Sequence, residues 1–138
     1  MEVYMDNKDL ILYALKAREN AYAPYSGFKV GAALTAGSGK VYTGCNVENA
    51  SYGATMCAER TAVFKAVSEG EREIDTIVIV GGPADEREEL SVYAYPCGMC
   101  RQVLSEFGKP DMKIIVARSI ADYKEYRLIE LLPESFKL

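Results

Sequence analysis

The chain has 138 residues, with 16 Lys and Arg against 20 Asp and Glu, four cysteines and no histidine. Forty-nine per cent of the residues are hydrophobic, which excludes a disordered chain and suffices for one core. A net charge of −4 argues against a polynucleotide-binding face, and no apolar run reaches the roughly 18 residues that a membrane span needs.

The stretch Met1–Asp9 is polar and acidic and does not read as a signal peptide. The expected compartment is the cytoplasm, where cysteines serve as metal ligands, reactive groups or core filler rather than disulfides. The lack of histidine narrows the chemistry. Acid–base work falls to Asp or Glu, and a zinc site falls largely to Cys.

Leu10, Ile11, Ala14, Leu15 and Ala17 recur at helical spacing and predict a helix from about Lys8 to Asn20. Pro24 and Gly27 in "YAPYSG" break it. "FKVGAALTA" and "GKVYTGCNV" flank Gly37, Ser38 and Gly39 and read as a hairpin. The loop "ENASYGAT" follows, then a helix from about Cys57 to Ser68, stopped by Gly70. "IDTIVIVGG" is a β-branched run suited to a strand covered on both faces. "PADEREEL" reads as an exposed loop, and "CGMCRQVLSEFG" as a helix between Pro96 and Gly108. "KIIVARS" is a strand, and "DYKEYRLI" is a short strand leading into one helical turn at "IELL". There is no internal repeat, low-complexity tract or linker. Helices alternating with buried strands predict a single domain over residues 1–138. Its expected architecture is a three-layer α/β/α sandwich, the early hairpin making the five-stranded sheet mixed.

Two helix starts carry cysteine. "PCGMC" places Cys97 and Cys100 on one helical face, and Cys57 opens the other helix. Three thiolates on zinc leave one coordination position open, the pattern of a catalytic site, and helix N-termini favour ionised sulfur. Three thiolates and Zn²⁺ sum to a charge of −1, which weakens the metal as a Lewis acid. Arg60, three residues after Cys57, can offset it by donating to the sulfurs. Glu59 reaches the same place only if Cys57 lies at the very first turn, where the sequence puts it; it can then carry protons. A C-x-x-C pair alone is a weak signal, and a Cys followed by Glu and Arg on a helix is usually core beside solvated surface. The two halves together in a histidine-free chain point to zinc. A closed four-cysteine site through Cys45 is the alternative, although Cys45 near a strand end more often serves as a small buried hydrophobe.

"CAERTAVFKA" together with "PCGMCRQVL" resembles the short, homo-tetrameric, zinc-dependent cytidine deaminase family, whose zinc signature is well established. "YSGFKVGAAL", "TGCNVENASYG" and "ELLPESF" are similar to family segments in the same order, so the resemblance spans about Leu10 to Phe136. It implies hydrolytic deamination of cytidine and deoxycytidine to uridine and deoxyuridine with release of ammonia, as in pyrimidine salvage. It implies one Zn²⁺ per subunit on Cys57, Cys97 and Cys100, a zinc-activated water, and Glu59 as proton shuttle. Arg60, helped by Gln102, would neutralise thiolate charge. Phe28 would pack against the nucleoside, Asn46 and Glu48 would bond the ribose hydroxyls, and the backbone around Ala58 and Tyr95 would hold the base edge. Tyr52 and Phe136 would line sites in neighbouring subunits of a tetramer. Core packing for Phe28, turn roles for Asn46 and Glu48, and ordinary surface for Tyr52 stay open.

Two departures bear on substrate choice. Tyr95 stands where the family often has a small hydroxyl residue, and "GGPADEREELSVYAY" is rich in charge. The alternatives are a related deaminase for an aminoacyl-nucleoside such as blasticidin S, and a non-catalytic zinc module. A ribose diol suits Asn46 and Glu48, which favours the ordinary nucleoside, and the module has no use for Glu59.

Overall fold

The computed structural model describes residues 5–138, so the first four positions of the stretch read for a signal peptide lie outside the described residues. Helix α1 (Asn7–Arg18) starts at Asp6, whose carboxylate accepts from the Asp9 backbone N–H and satisfies one unpaired donor of the first turn. It ends two residues before the expected Asn20, because Glu19, Asn20 and Ala21 switch to tighter bonds onto Lys16, Ala17 and Arg18. Strands β1 (Phe28–Ala36) and β2 (Val41–Cys45) form the expected hairpin, with Leu34 opposite Tyr42. The second strand is shorter than "GKVYTGCNV" suggested. Asn46 leaves the ladder, and Val47 pairs singly with Tyr22 and Met56.

Helix α2 (Ala58–Ser68), β3 (Ile74–Pro83), α3 (Gly98–Phe107), β4 (Lys113–Ser119), β5 (Asp122–Arg127) and α4 (Leu128–Leu131) follow in the expected order. The last strand yields Leu128 to α4. The sheet order is β2-β1-β3-β4-β5, with only β3 and β4 parallel, so the sheet is mixed and five-stranded as expected.

The period of two sorts the strands onto two cores. Ala32, Leu34, Ile77, Ile79 and Ile114 face α2, α3 and α4 through Ala58, Ala62, Val63, Ala66, Leu104 and Leu128. Ala33, Val78, Val80, Ile115 and Ala117 face α1 through Leu10, Ile11 and Ala14. These are the three layers. No helix of the described residues is long and apolar enough to cross a membrane.

The loop over "PADEREEL" is exposed along most of its length but is anchored at two points. Leu90 is buried in the α1-side core. Arg18, buried at the end of α1, donates to the carbonyls of Lys29, Gly82, Pro83 and Glu86 at 2.7–2.9 Å. Burial lowers its pKa, but four acceptors compensate: hydrogen bonds to a charged group contribute roughly 1.5–3 kcal/mol each, comparable in sum to a desolvation cost of several kcal/mol.

Two glycines permit the closest helix–sheet approaches. A Cβ on Gly31 would fall 2.1 Å from the Ala14 carbonyl oxygen of α1, and one on Gly44 would fall 2.6 Å from the Ala62 nitrogen of α2. Both clashes are with backbone, so no side-chain rotation relieves them. Gly31→Ala is expected to destabilise the fold by about 1–3 kcal/mol, the usual range for overpacking, read as a lower urea midpoint with an unchanged slope.

Candidate active site

Phe28 at the start of β1 pairs with Pro83 at the end of β3. The loops leaving β2 and β3 at this end of the sheet lead into α2 and α3. Cys57 and Cys97 are the N-cap residues of those helices, each with extended backbone, and neither side chain bonds its own helix as a capping group ordinarily would. The sulfurs turn to one another instead. Cys57 Sγ lies 4.0 Å from Cys97 Sγ, and Cys97 Sγ lies 3.5 Å from Cys100 Sγ on the next turn of α3. All three sulfurs fall within 4.8 Å of one another. Cys45 is half-buried and outside this group.

Arg60 Nη2 donates to Cys57 Sγ at 3.2 Å, as the three-residue spacing suggested. The Cys57 thiol is pushed down to about 5 by hydrogen bonds from Cys100 and Arg60. Cys100 shifts up because it donates to the Cys57 thiolate and is buried. Arg60 shifts up through its bond to the same thiolate. Glu59, at the second position of α2, is 4% exposed. Burial pushes its carboxyl up to about 7, against the pull of its own backbone N–H, and the Cys57 thiolate adds to the rise. Cys57 and Cys100 both act on this carboxyl, and Glu59 lies two residues after the N-cap Cys57, which puts it against the sulfur cluster. Ala58 between them is fully buried.

The remaining candidates divide into two sets. Asn46, 8% exposed, uses Oδ1 to accept from the Val30 N–H and Nδ2 to donate to the Phe28 carbonyl, each at 2.9 Å. It thereby prolongs the β1–β2 pairing with a side chain. Glu48 accepts from the backbone N–H groups of Tyr25 and Ser26 and from the Ser26 hydroxyl, which holds its carboxyl below the usual range. Phe28, Asn46 and Glu48 are thus gathered by one hydrogen-bonded loop, joined to the Cys57 helix start through the Val47–Met56 pair. Both polar side chains bind backbone here: Glu48 holds the Tyr25–Ser26 turn, whereas Asn46 bridges to β1. Tyr52 and Phe136 are not part of this gathering; they are 89% and 67% exposed. Tyr95 is exposed and packs edge-on against Tyr126, with the hydroxyls 3.0 Å apart. The hydrogen bond of Gln102 goes to the Phe136 carbonyl at 3.4 Å, not to a cysteine sulfur, because the C-terminal segment runs past its end of α3.

Sequence reasoning missed Ser26, which orients Glu48, and Arg101, which bonds the Pro96 and Leu131 carbonyls. A signal for Arg101 existed: a cation in the first turn of a helix opposes the helix dipole, so some specific bond must hold it there.

The donor set fits zinc. Three sulfurs converge, one is held ionised near neutral pH, an arginine supplies the countercharge, and Arg60 Nε is a buried donor without a partner among the described residues. Cys57, Cys97 and Cys100 would hold the ion. Metal analysis is expected to find one zinc per chain, kept in Cys45→Ser and largely lost in Cys97→Ser.

Comparison with known proteins agrees with this geometry. The family model for the cytidine and deoxycytidylate deaminase zinc-binding region matches residues 5–117. The cytidine deaminase of Halalkalibacterium halodurans is 48% identical over 132 residues, covering 96% of this chain and 95% of its own. The crystal structure of cytidine deaminase from Burkholderia pseudomallei has a TM-score of 0.85 at 47% identity, covering 96% of this chain and all of that one. A blasticidin-S deaminase from Bacillus cereus is 35% identical over 88 residues, 63% of this chain and 62% of its own. A family model over most of the chain, and relatives near half identical along almost its whole length, show that the chain belongs to the cytidine and deoxycytidylate deaminase family.

Proposed function

We propose that this chain is a single cytidine deaminase domain over residues 1–138 that hydrolyses cytidine and deoxycytidine to uridine and deoxyuridine, releasing ammonia. The observation that carries the reading is a buried carboxylate, Glu59, set against a three-sulfur cluster at two helix N-termini. When bound, zinc supplies a Lewis acid that makes a nucleophile of water near neutral pH. Cys57, Cys97 and Cys100 hold the ion, and Arg60 offsets the excess thiolate charge.

Glu59 moves the protons. Burial pushes its carboxyl up towards neutrality, the range that suits a group which must both accept and release a proton. Glu59 takes one proton from the attacking water and delivers it to the ring N3, then takes the second from the hydroxyl newly formed on C4 and passes it to the amine, which leaves as ammonia while C4 becomes a carbonyl. One carboxylate serves as base and acid, and no histidine is needed. Phe28 packs on the nucleoside. Asn46 and Glu48 take the ribose, using the lone pairs and hydrogens left over from their loop contacts, while the backbone at Ala58 and Tyr95 holds the base edge. The tie of Gln102 to the tail leaves charge compensation to Arg60.

The enzyme works as a homo-oligomer, a tetramer by family resemblance, and in the cytoplasm, where four unpaired cysteines persist. Tyr52 and Phe136, both exposed in one chain, support a site walled by neighbours that exclude water from the base.

Cytidine, deoxycytidine and blasticidin S are to be assayed by loss of cytosine absorbance and release of ammonia. Activity on cytidine supports the reading; activity on blasticidin S alone overturns it. Glu59→Gln is expected to keep zinc and fold but lose about 10²–10⁴-fold in kcat, the usual share of general acid–base catalysis. Deleting Glu134 to Leu138 is expected to raise KM with zinc retained. Mixing that truncation with Glu59→Gln chains then restores activity, because each intact tail serves another subunit's glutamate. Subunit exchange seen by native mass spectrometry with no return of activity sinks the shared site.

A further inference from the structure

Arg101 directly follows the ligand Cys100, yet its guanidinium turns away from the sulfurs. Nε donates to the Pro96 carbonyl at 2.8 Å, and Nη1 donates to the Leu131 carbonyl at 2.8 Å. Each acceptor lies where its own element cannot use it. Pro96 precedes the N-cap, so its carbonyl is outside the hydrogen-bond ladder of α3, and the residue is buried. Leu131 ends α4, where the last carbonyls have no intrahelical partner. One planar fork satisfies both. The Pro96 carbonyl belongs to the peptide plane that enters Cys97, so fixing it fixes the backbone from which that sulfur projects.

Two further contacts join the same pair of segments. Tyr95, one residue earlier, meets Tyr126 of β5, and Gln102, one residue later than Arg101, meets the Phe136 carbonyl. The stretch from β5 to the tail therefore grips the cysteine-bearing turn at three successive places, with Arg101 holding the central one.

We infer that Arg101 is a positioning residue that locks the Pro96–Cys97 peptide to the C-terminal segment and so sets the placement of Cys97 in the sulfur cluster. This rests on the reading that Cys57, Cys97 and Cys100 hold zinc. It differs from the role of Arg60, which touches sulfur. Arg101 acts on the backbone, so its geometry matters and its charge does not. Lysine keeps the charge but cannot span two carbonyls with a rigid fork.

The test is competition for zinc between the full-length protein and a chromophoric chelator, with urea unfolding and steady-state kinetics measured in parallel. Arg101→Lys is expected to remain folded and to bind zinc about 10- to 100-fold more weakly, as for loss of other groups that orient metal ligands. Its kcat should fall with KM for cytidine little changed. Arg101→Gln, which keeps a donor for one carbonyl, tests the same point with a neutral side chain, and whichever variant folds carries the measurement. A lower urea midpoint with wild-type zinc affinity would mean that Arg101 only stabilises the fold, and overturns the inference. Wild-type protein that takes up no zinc overturns the metal reading and this inference with it.

Discussion

Bringing three sulfurs within 4.8 Å of one another is the constraint on which the rest of this molecule depends. Ionised thiolates at that separation repel, and the charge divides unevenly among them: Cys57 is held down to about 5 while buried Cys100 shifts up. A metal that needs all three deprotonated must find a surrounding field already positive. The chain provides it with two helix N-termini and the Arg60 guanidinium. Those helices come from distant stretches of sequence, so the whole sheet serves to bring their starts together. The small residues of α2, Ala58, Ala62 and Ala66, let it lie close on the sheet, and Gly44 leaves room for its backbone.

The same packing shapes Glu59. A carboxylate in the first turn of a surface helix would be solvated and ionised. Here α2 begins against the sulfur cluster, so the side chain is desolvated and its carboxyl rises to about 7. Burial, more than any single charge, produces a group able to give and take a proton at neutral pH.

The two faces of the sheet carry different burdens. On one side α1 packs through Gly31 and Arg18, whose four carbonyl partners secure the end of β3 and the charged loop after it. This side holds structure and carries none of the three clustered cysteines. On the other side α2, α3 and α4 share a core with the site at its rim, and the C-terminal segment grips the Cys97 turn through Arg101. A chain end is a weak place to anchor a catalytic group unless it is tied down, and here backbone carbonyls do the tying.

The α/β class, the mixed sheet and the order of elements were legible because strand and helix periodicities are local properties. The cysteine pair and the Glu-Arg sequence after Cys57 were legible for a related reason: helical spacing alone puts Arg60 beside the Cys57 sulfur. A histidine-free composition left few other candidates for metal and proton chemistry. What lay beyond sequence were contacts between stretches far apart in the chain. The Asn46 side chain completes the pairing of β1, Glu48 closes a turn with Ser26, and Gln102 meets the tail instead of a sulfur. Arg18, for which the sequence offers no reading, is buried among carbonyls supplied by β1, β3 and the loop beyond. Each outcome depends on which backbone groups are left unpaired after the sheet and helices have formed. Only the tertiary structure decides that, because an unpaired carbonyl is a property of the assembled fold and of no single residue.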